Sequence, residues 1–335
     1  MNAYLGACAR VVRDSAGGRI LSPAHAERLL IDEGGVRGAR IVDDHGPRDV
    51  RARATLLATG GFQGDAELRA LLIHPRARAI PLRSNPTSRG DGLRLGLAAG
   101  GAFTANGSGF YGHLLPRGVA FDDPTTFAPL TLYYSEHSVL VNLDGRRFVD
   151  ETVGDHLNAL AVLDQREARA LVIADQRVRD EWMLGSYVEG VTPIDKFDLS
   201  FKRGARSAVA TTLDELLFLP EEWGYPAATV HATMLEFNAQ CRSGALEVGR
   251  RHDPLPLDQP PYWVVEAQPG ITFTYDGLRI DARARVLDAE GVPVAGLLAA
   301  GADAGGLYHR AYAGGLAAAL VFGLQAARTA LAASS

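Results

Sequence analysis

The chain has 335 residues, 47% of them hydrophobic, and a formal net charge of -5 at pH 7. That length suits two domains with a core each. The scattered charges argue against a nucleic-acid or anionic-membrane surface, and the distant pair Cys8 and Cys241, with no Cys/His cluster at metal spacing, argues against a metal site or a redox dithiol.

No segment resembles a membrane span or a secretory leader. No run reaches about 18 uncharged apolar residues, and the first residues lack a basic region before an apolar stretch. We therefore expect a cytoplasmic protein with neither a membrane nor a nucleic-acid partner.

The amino-terminal part of the chain predicts one short helix followed by a β-meander. In chain order, the helix and the three apolar-rich runs cover residues 2–12, 28–32, 36–43 and 50–58. The third run ends at Thr59, Gly60 and Gly61, where the glycines have no Cβ atom and so let a ligand or another backbone come close.

A loop composition over residues 84–92 precedes a predicted helix, with Asp91 as its cap and a stop at Gly100-Gly101. From residue 103 the chain is richer in aromatics and prolines, with a hairpin pattern over residues 139–149. Polar residues around that pattern are candidates either for substrate contact or for a solvated surface, namely Tyr133, Tyr134, Glu136, His137, Asp155 and His156.

The strand pattern of the first part returns after Pro260-Pro261. We therefore predict a first domain over residues 1–102 that resumes over 263–335 and is interrupted by a second domain over 103–262. In the resumed part, the predicted alternating segment, turn and short strand cover residues 277–287, 288–291 and 295–300.

The residues after that strand include a candidate ligand contact and a predicted buried helix. The strand ends at Gly301, and the carboxylate of Asp303 can bind a ligand hydroxyl or cap a turn. Residues 316–331 are apolar on nearly every face, which predicts a buried helix.

The start of that last helix is a candidate ligand site. After Gly314 and Gly315, the N–H groups of Gly315, Leu316 and Ala317 point ahead of the helix, with the positive end of its dipole behind them, which suits an anion. A close crossing of helix and strand would need the same glycines. The residues just upstream can exchange protons with a reacting carbon or form an ordinary exposed loop, and they are Tyr308, His309, Arg310 and Tyr312.

Five stretches carry a resemblance to a known family. In chain order they are residues 54–62 (ATLLATGGF), 89–92 (RGDG), 142–151 (NLDGRRFVDE), 269–275 (PGITFTY) and 296–303 (GLLAAGAD), the last running on to Gly314-Gly315. In this order they resemble FAD-dependent flavoproteins related to fumarate reductase, 3-ketosteroid dehydrogenase and tricarballylate dehydrogenase. The resemblance covers nearly all of the chain from about residue 50.

The resemblance implies an α/β fold. In it, a glutathione-reductase-type FAD domain is interrupted by an α+β capping domain of the fumarate reductase type, and FAD is held non-covalently. The resemblance also implies the cofactor contacts. The residues that would approach the FAD, line its ribityl and phosphate path and meet the flavin's pyrimidine edge are, in chain order, Thr59, Gly60, Gly61, Gly301, Asp303, Gly314, Gly315, Leu316 and Ala317.

The amino terminus departs from the family pattern. The family opens with a strand, a GxGxxG turn and a helix, which nothing before residue 50 supplies. We therefore expect an FAD domain truncated at its amino terminus. A gene-model artefact, a true loss, or a segment supplied by a longer chain or a partner would each account for it.

Other departures concern the substrate and the ribityl chain. Asp155 stands where fumarate reductases carry a proton-donating arginine, and an aspartate cannot copy that charge. Thr272, Phe273 and Tyr312 replace further members of the dicarboxylate clamp, so neither fumarate nor succinate is expected as substrate. Ala302 replaces the usual ribityl-binding glutamate, with Asp303 one place later.

The predicted activity is an FAD-dependent oxidoreductase acting on a CH–CH bond next to a carbonyl or carboxylate, with hydride moving to or from flavin N5. Tyr312 is the first candidate for the proton role, with His309 second and Arg310 as the supporting cation. The predicted substrate contacts are Tyr134, His137, Thr272 and Tyr275. The alternative is a non-catalytic remnant or subunit that needs a second chain to bind FAD. The substrate, the direction of reaction, the electron acceptor and the oligomeric state are not specified by the sequence.

Overall fold

A computed structural model describes residues 2–185 and 193–332. Its α-helices are α1 (Asn2–Asp14), α2 (Ala66–Leu72), α3 (Asp91–Ala98), α4 (Phe127–Leu130), α5 (Asp155–Asp164), α6 (Gln176–Val178), α7 (Lys196–Lys202), α8 (Ala227–Ser243) and α9 (Gly315–Ala332). Its strands are β1 (Ala24–Asp32), β2 (Gly35–Asp43), β3 (Gly46–Arg51), β4 (Thr55–Leu57), β5 (Phe110–Pro116), β6 (Val139–Val141), β7 (Ala170–Ala174), β8 (Ser207–Ala210), β9 (Tyr262–Thr274), β10 (Arg285–Leu287) and β11 (Pro293–Ala299). Short 3₁₀ or π turns cover Pro75–Arg78, Pro124–Thr126, Tyr133–His137, Glu151–Val153, Arg166–Ala168, Arg179–Met183, Leu213–Phe218, Glu221–Trp223 and Gly301–Asp303.

The first sheet is the predicted meander. Strands β1, β2 and β3 pair antiparallel in chain order, and Leu29 and Val36 point from them into the core. The third predicted run, however, divides in two. Its first half closes the meander at Arg51, and after a bend at Arg53 its second half, β4, joins a different sheet.

The second sheet has the strand order β10-β11-β4. Strand β11 runs antiparallel to β10 and parallel to β4, and within the described residues β4 pairs on one side only. Leu57, Leu278 and Leu297 pack beneath the sheet against Leu93 of α3. Helix α3 begins one residue earlier than predicted, because Gly90 occupies the cap position and Asp91 is already helical.

The third sheet is built from the middle of the chain and β9. Its order is β5-β9-β7-β6, with β8 also paired to β9, and all of these pairs are antiparallel. Where a hairpin was predicted, the chain makes a tight turn from β6 and returns through the bridge between Val141 and Arg147. Because β9 pairs with the middle strands, residues 262–274 pack with the predicted second domain. The domain boundaries stay a prediction.

The last helix, α9, is largely exposed, so the prediction of a buried helix is wrong. Leu316 is 69% exposed and Leu320 is 53% exposed. One stripe is covered, where Ala326 packs against Ala284 and Leu298. A helix that is apolar all round needs partners on every side, and within the described residues α9 has them on one side. By length and composition alone, this helix could also cross a membrane.

Candidate active site

A cavity of about 280 Å³ lies where the end of β9 meets the start of α9. Its lining is Tyr111, Thr272, Phe273, Thr274, Tyr275, Gly301, Ala302, Ala304, Leu307, Tyr308, Tyr312, Gly315, Leu316, Ala318 and Ala319. The predicted site residues among them are Thr272, Tyr275, Gly301, Tyr312, Gly315 and Leu316. The structure therefore brings together residues from β9, from the turn after β11 and from the start of α9.

Aromatic rings form much of the cavity wall. The rings of Tyr111 and Tyr312 are stacked, with their centroids 3.9 Å apart. The ring of Phe273 lies 5.5 Å from that of Tyr111, and the ring of Tyr275 lies 5.4 Å from that of Tyr308. Rings at these separations attract one another beyond the area they bury. The walls are consequently aromatic and largely apolar, which suits a ligand with an aromatic ring.

Two residues from the first turn of α9, Gly315 and Leu316, line this cavity. The carbonyl of Gly314 accepts hydrogen bonds from the N–H groups of Ala317 at 3.1 Å and Ala318 at 3.3 Å. Gly315 and Leu316 precede these residues and have no carbonyl of their own helix to donate to. Of the three predicted amides, that of Ala317 is thus already engaged, while Gly315 and Leu316 line the cavity at the positive end of the helix dipole.

The glycine turn after β4 is held by Asp303. The Asp303 carboxylate accepts from the N–H of Thr59, from the Thr59 hydroxyl at 3.1 Å and from the N–H of Gly61 at 3.2 Å. The same hydroxyl accepts from the N–H of Gly92 at the start of α3, 2.9 Å away. Three predicted cofactor residues therefore meet, and both oxygens of the buried carboxylate are already used to shape the turn.

Two buried polar atoms beside Gly61 have no hydrogen-bond partner within the described residues. They are Oε1 of Gln63 and Oγ1 of Thr274. A Cβ on Gly61 would lie 2.8 Å from the first atom and 3.0 Å from the second, so the glycine leaves the space between them open. Buried polar atoms without partners are costly, and these two are placed to contact the polar edge of a ligand.

Three titratable side chains follow one another from the cavity wall inward: the phenol of Tyr111, which is one of the stacked rings, an imidazole and a carboxylate. His113 Nε2 lies 2.9 Å from the Tyr111 hydroxyl, and His113 Nδ1 makes a close contact with Oδ2 of Asp155. Although burial opposes it, hydrogen bonding from His113 and the proximity of His156 lower the pKa of Asp155 to about 2. Burial lowers the pKa of His113 despite this carboxylate. Burial, and then the charge of Asp155, raise the pKa of Tyr111 to about 12.

Arg83 brings a positive charge to the cavity. Its guanidinium donates to the hydroxyls of Thr272, Tyr133 and Thr131, each at 3.2 Å. Because Thr272 lines the cavity, this cation lies directly behind the wall. The arrangement can polarise a carbonyl or hold a carboxylate.

The remaining predicted site residues lie away from the cavity lining. His309 is exposed, and Arg310 points outward with its guanidinium 3.8 Å from the Asp164 carboxylate. Tyr134 is buried in the core beneath the third sheet. His137 stacks on Trp182, with ring centroids 3.8 Å apart, and lies 2.9 Å from the Asp253 carboxylate. The structure thus separates these four from Tyr312, and their roles stay predictions.

Sequence reasoning missed Tyr111, His113 and Arg83. The available signal was the spacing of the first two, since residues two apart on a strand point to the same face. The contact between His113 and Asp155 joins residues 42 apart in the chain. Asp155 had been noted only as a candidate for substrate contact. A short strand with few polar residues gives no hint of that contact.

The chain is similar to flavoproteins of known activity. It matches the FAD binding domain family over residues 2–317. It is 29% identical over 299 residues to an NADH:acrylate oxidoreductase of Vibrio harveyi, covering 87% of this chain and 28% of that protein. It is 28% identical over 296 residues to a fumarate reductase (cytochrome) of Shewanella frigidimarina, covering 86% of this chain and 47% of that protein. The chain thus spans less than half the length of these two relatives.

The fold has a solved counterpart. Over 92% of this chain and 59% of the other, the structure matches a 3-ketosteroid delta1-dehydrogenase from Sterolibacterium denitrificans, with a TM-score of 0.71 and 21% identity. The comparisons confirm the predicted family and its cofactor, FAD. The chain belongs to the FAD binding domain family and to the superfamily of FAD-dependent fumarate reductase and succinate dehydrogenase flavoproteins.

Proposed function

We propose that this protein is an FAD-dependent oxidoreductase that adds or removes hydrogen across a carbon–carbon bond next to a carbonyl or carboxylate. The observation that carries the proposal is the aromatic cavity that is also lined by the first turn of α9. The relatives support it, because a fumarate reductase and an acrylate oxidoreductase are named for substrates with such a bond. The family match favours this enzyme over the alternative of a non-catalytic subunit.

The residues around the cavity fit the flavin ring of FAD. The ring is aromatic, which suits aromatic walls, and its pyrimidine edge carries both hydrogen-bond donors and acceptors. The unpartnered atoms of Gln63 and Thr274 would pair with that edge. The amides of Gly315 and Leu316 would stabilise negative charge on it. When bound, FAD would supply the two-electron chemistry by giving or taking a hydride.

The substrate would lie on the other side of the ring, among the groups of the middle domain. Tyr111 and Tyr312 would cover it, and the positive charge of Arg83 behind Thr272 would orient its carbonyl or carboxylate. The proposal keeps Tyr312 as a cavity residue. It gives no contact in the cavity to His309 or Arg310, because both are exposed.

We also propose that the sheet of β4 and the exposed face of α9 form half of a glutathione-reductase-type FAD domain, interrupted by a capping domain. Among the residues that the structure describes, no strand pairs with the second edge of β4, and Leu316, Leu320 and Leu324 of α9 are exposed. A groove of about 510 Å³ runs between β11 and α9. A strand and helix from outside these 335 residues would cover these surfaces and hold the ADP half of FAD.

The test is the absorbance spectrum of the purified chain after incubation with FAD and gel filtration. The proposal predicts flavin absorbance that elutes with the protein, bleaches on reduction and returns when an α,β-unsaturated ketone or carboxylate is added. Folded protein that elutes without flavin, even when joined to the strand and helix proposed to hold the ADP half, would overturn the proposal.

A further inference from the structure

Three side chains from two elements stand in a line that ends at the cavity. Tyr111 and His113 are two residues apart on β5, so both point to the same face of the strand. Asp155 is the first residue of α5, which packs against that face. The phenol lines the cavity, the imidazole is 95% buried behind it, and the carboxylate lies behind the imidazole.

The protonation states of the line follow from its burial and contacts. Asp155 is ionised at neutral pH because hydrogen bonds hold its pKa at about 2, and an ionised carboxylate can only accept. His113 is neutral because burial lowers its pKa, so it carries one ring proton. That proton must lie on Nδ1, facing Asp155, which leaves Nε2 to accept the Tyr111 hydroxyl proton.

We propose that Tyr111 is the acid–base residue of the reaction and that His113 and Asp155 are positioning residues. His113 takes up and returns the tyrosine proton, and Asp155 holds the imidazole that does so. The inference rests on the proposed function. In the desaturation direction, Tyr111 Oη takes the proton from the carbon next to the carbonyl while its own proton moves to His113 Nε2. The electron pair of the broken C–H bond forms the new double bond, and the neighbouring carbon loses a hydride to FAD, the oxidant.

The imidazolium formed in that step is stabilised by the Asp155 carboxylate. In the reducing direction every transfer reverses, so His113 returns a proton to the tyrosine as the tyrosine protonates carbon. An isolated phenol with a pKa near 12 is a poor base at neutral pH. Coupled transfer to His113 removes this difficulty, because no free phenolate has to form.

Other charged and titratable groups around the line come from several elements. His156 lies with its Nδ1 3.8 Å from Asp155 Oδ1, and Glu136 accepts the backbone N–H of Asp155 at 2.8 Å. The ring of Tyr133 lies 5.1 Å from that of His113, its hydroxyl accepts from Arg83, and Tyr312 stacks on Tyr111. His156 and Glu136 are partly exposed and connect the line to solvent.

The first experiment needs no flavin. In the chain labelled with ¹⁵N-histidine, the two ring nitrogens of His113, assigned by comparison with His113→Gln, report which one carries the proton. At pH 7 the inference predicts a protonated Nδ1 and a bare Nε2. A proton on Nε2, or on both nitrogens, would overturn it whether or not the chain binds FAD.

The second experiment uses chain that retains FAD. Tyr111→Phe should slow reduction of the flavin by a saturated ketone or carboxylate substrate at least about a hundredfold, with flavin absorbance retained. His113→Gln should make the rate climb with pH through the alkaline range, where the wild type is level, because only a phenolate can then act as base. A pH profile of His113→Gln that matches the wild type would refute the assignment. So would a result in which Tyr312→Phe loses activity and Tyr111→Phe keeps it.

The two proposals fail in different ways. Chain that never takes up flavin contradicts the proposed function, while the nitrogen measurement still decides the protonation of the line. Chain that takes up flavin and reduces an unsaturated substrate, with Tyr111→Phe as fast as wild type, supports the function and removes the inference.

Discussion

Replacing Asp303 by alanine tests how the cofactor turn is held. The side chain is 1% exposed and accepts from two backbone N–H groups and one hydroxyl. Alanine would leave the buried N–H of Gly61 without a partner, whereas Thr59 is exposed and water can reach its N–H and hydroxyl. An unsatisfied buried donor costs about 1–3 kcal/mol and the lost bonds to Thr59 about 1 kcal/mol more, so the expected loss of unfolding free energy is about 3 kcal/mol. Asp303→Asn keeps one acceptor oxygen and should lose about half as much.

The assay is urea unfolding followed by circular dichroism, together with hydrogen exchange at the amides of Thr59 and Gly61. Asp65→Ala is the matched control. That carboxylate also accepts two backbone N–H groups, those of Glu67 and Leu68 at 3.0 Å, but at the more exposed start of α2. Water can replace those bonds, and the loss of such a cap costs about 1 kcal/mol. If Asp303→Ala costs no more than the control, the turn does not depend on this carboxylate.

Four further outcomes are expected. The pKa of Asp155 is about 2 in the folded chain, against an ordinary value of 3.8. The stability that the ionised carboxylate gives the fold is therefore present above pH 4 and is lost as pH falls toward 2. The stability gap between wild type and Asp155→Asn, from urea midpoints, should shrink by about 2 kcal/mol over that range. Burial raises the pKa of Tyr111 from 10.0 to about 12. The contribution of the protonated phenol to the unfolding free energy is therefore complete below pH 10 and is lost as pH rises through 12. Tyr111→Phe should therefore lose less stability than wild type over that alkaline range. Gly92→Ala should destabilise by more than about 1 kcal/mol despite the better helix propensity of alanine, because its Cβ would lie 2.5 Å from Asp303 Oδ2; urea unfolding measures this. Leu320→Lys, on the exposed face of α9, should change the unfolding free energy by less than about 0.5 kcal/mol in the same assay.

Local chemistry made much of the fold predictable. The amino-terminal helix, the first two strands of the meander and the turn at 288–291 follow from glycine placement and alternation over short windows. The division of residues 50–58 between two sheets was not predictable in this way, because a continuous apolar run does not show where a strand changes partners. The exposure of α9 was missed for a related reason. Apolar faces predict burial, but they do not say which surface supplies the partner.

The candidate site was predictable where it lies on glycine turns and not where it lies on a strand. Thr59 and Asp303, 244 residues apart in sequence, were selected through motifs that resemble a known family, and the structure joins them directly. Tyr111 and His113 carry no motif, and their meaning depends on Asp155 reaching them across the fold. Such a contact is a product of tertiary packing and leaves no local pattern.

The most direct test of the account is a crystal structure of the chain grown with FAD. The account predicts electron density for the isoalloxazine ring in the aromatic cavity, flat against Phe273, with its pyrimidine edge at the amides of Gly315 and Leu316 and within hydrogen-bond reach of Gln63. Flavin density at a different surface, or an empty cavity in crystals that have taken up the cofactor, would contradict it.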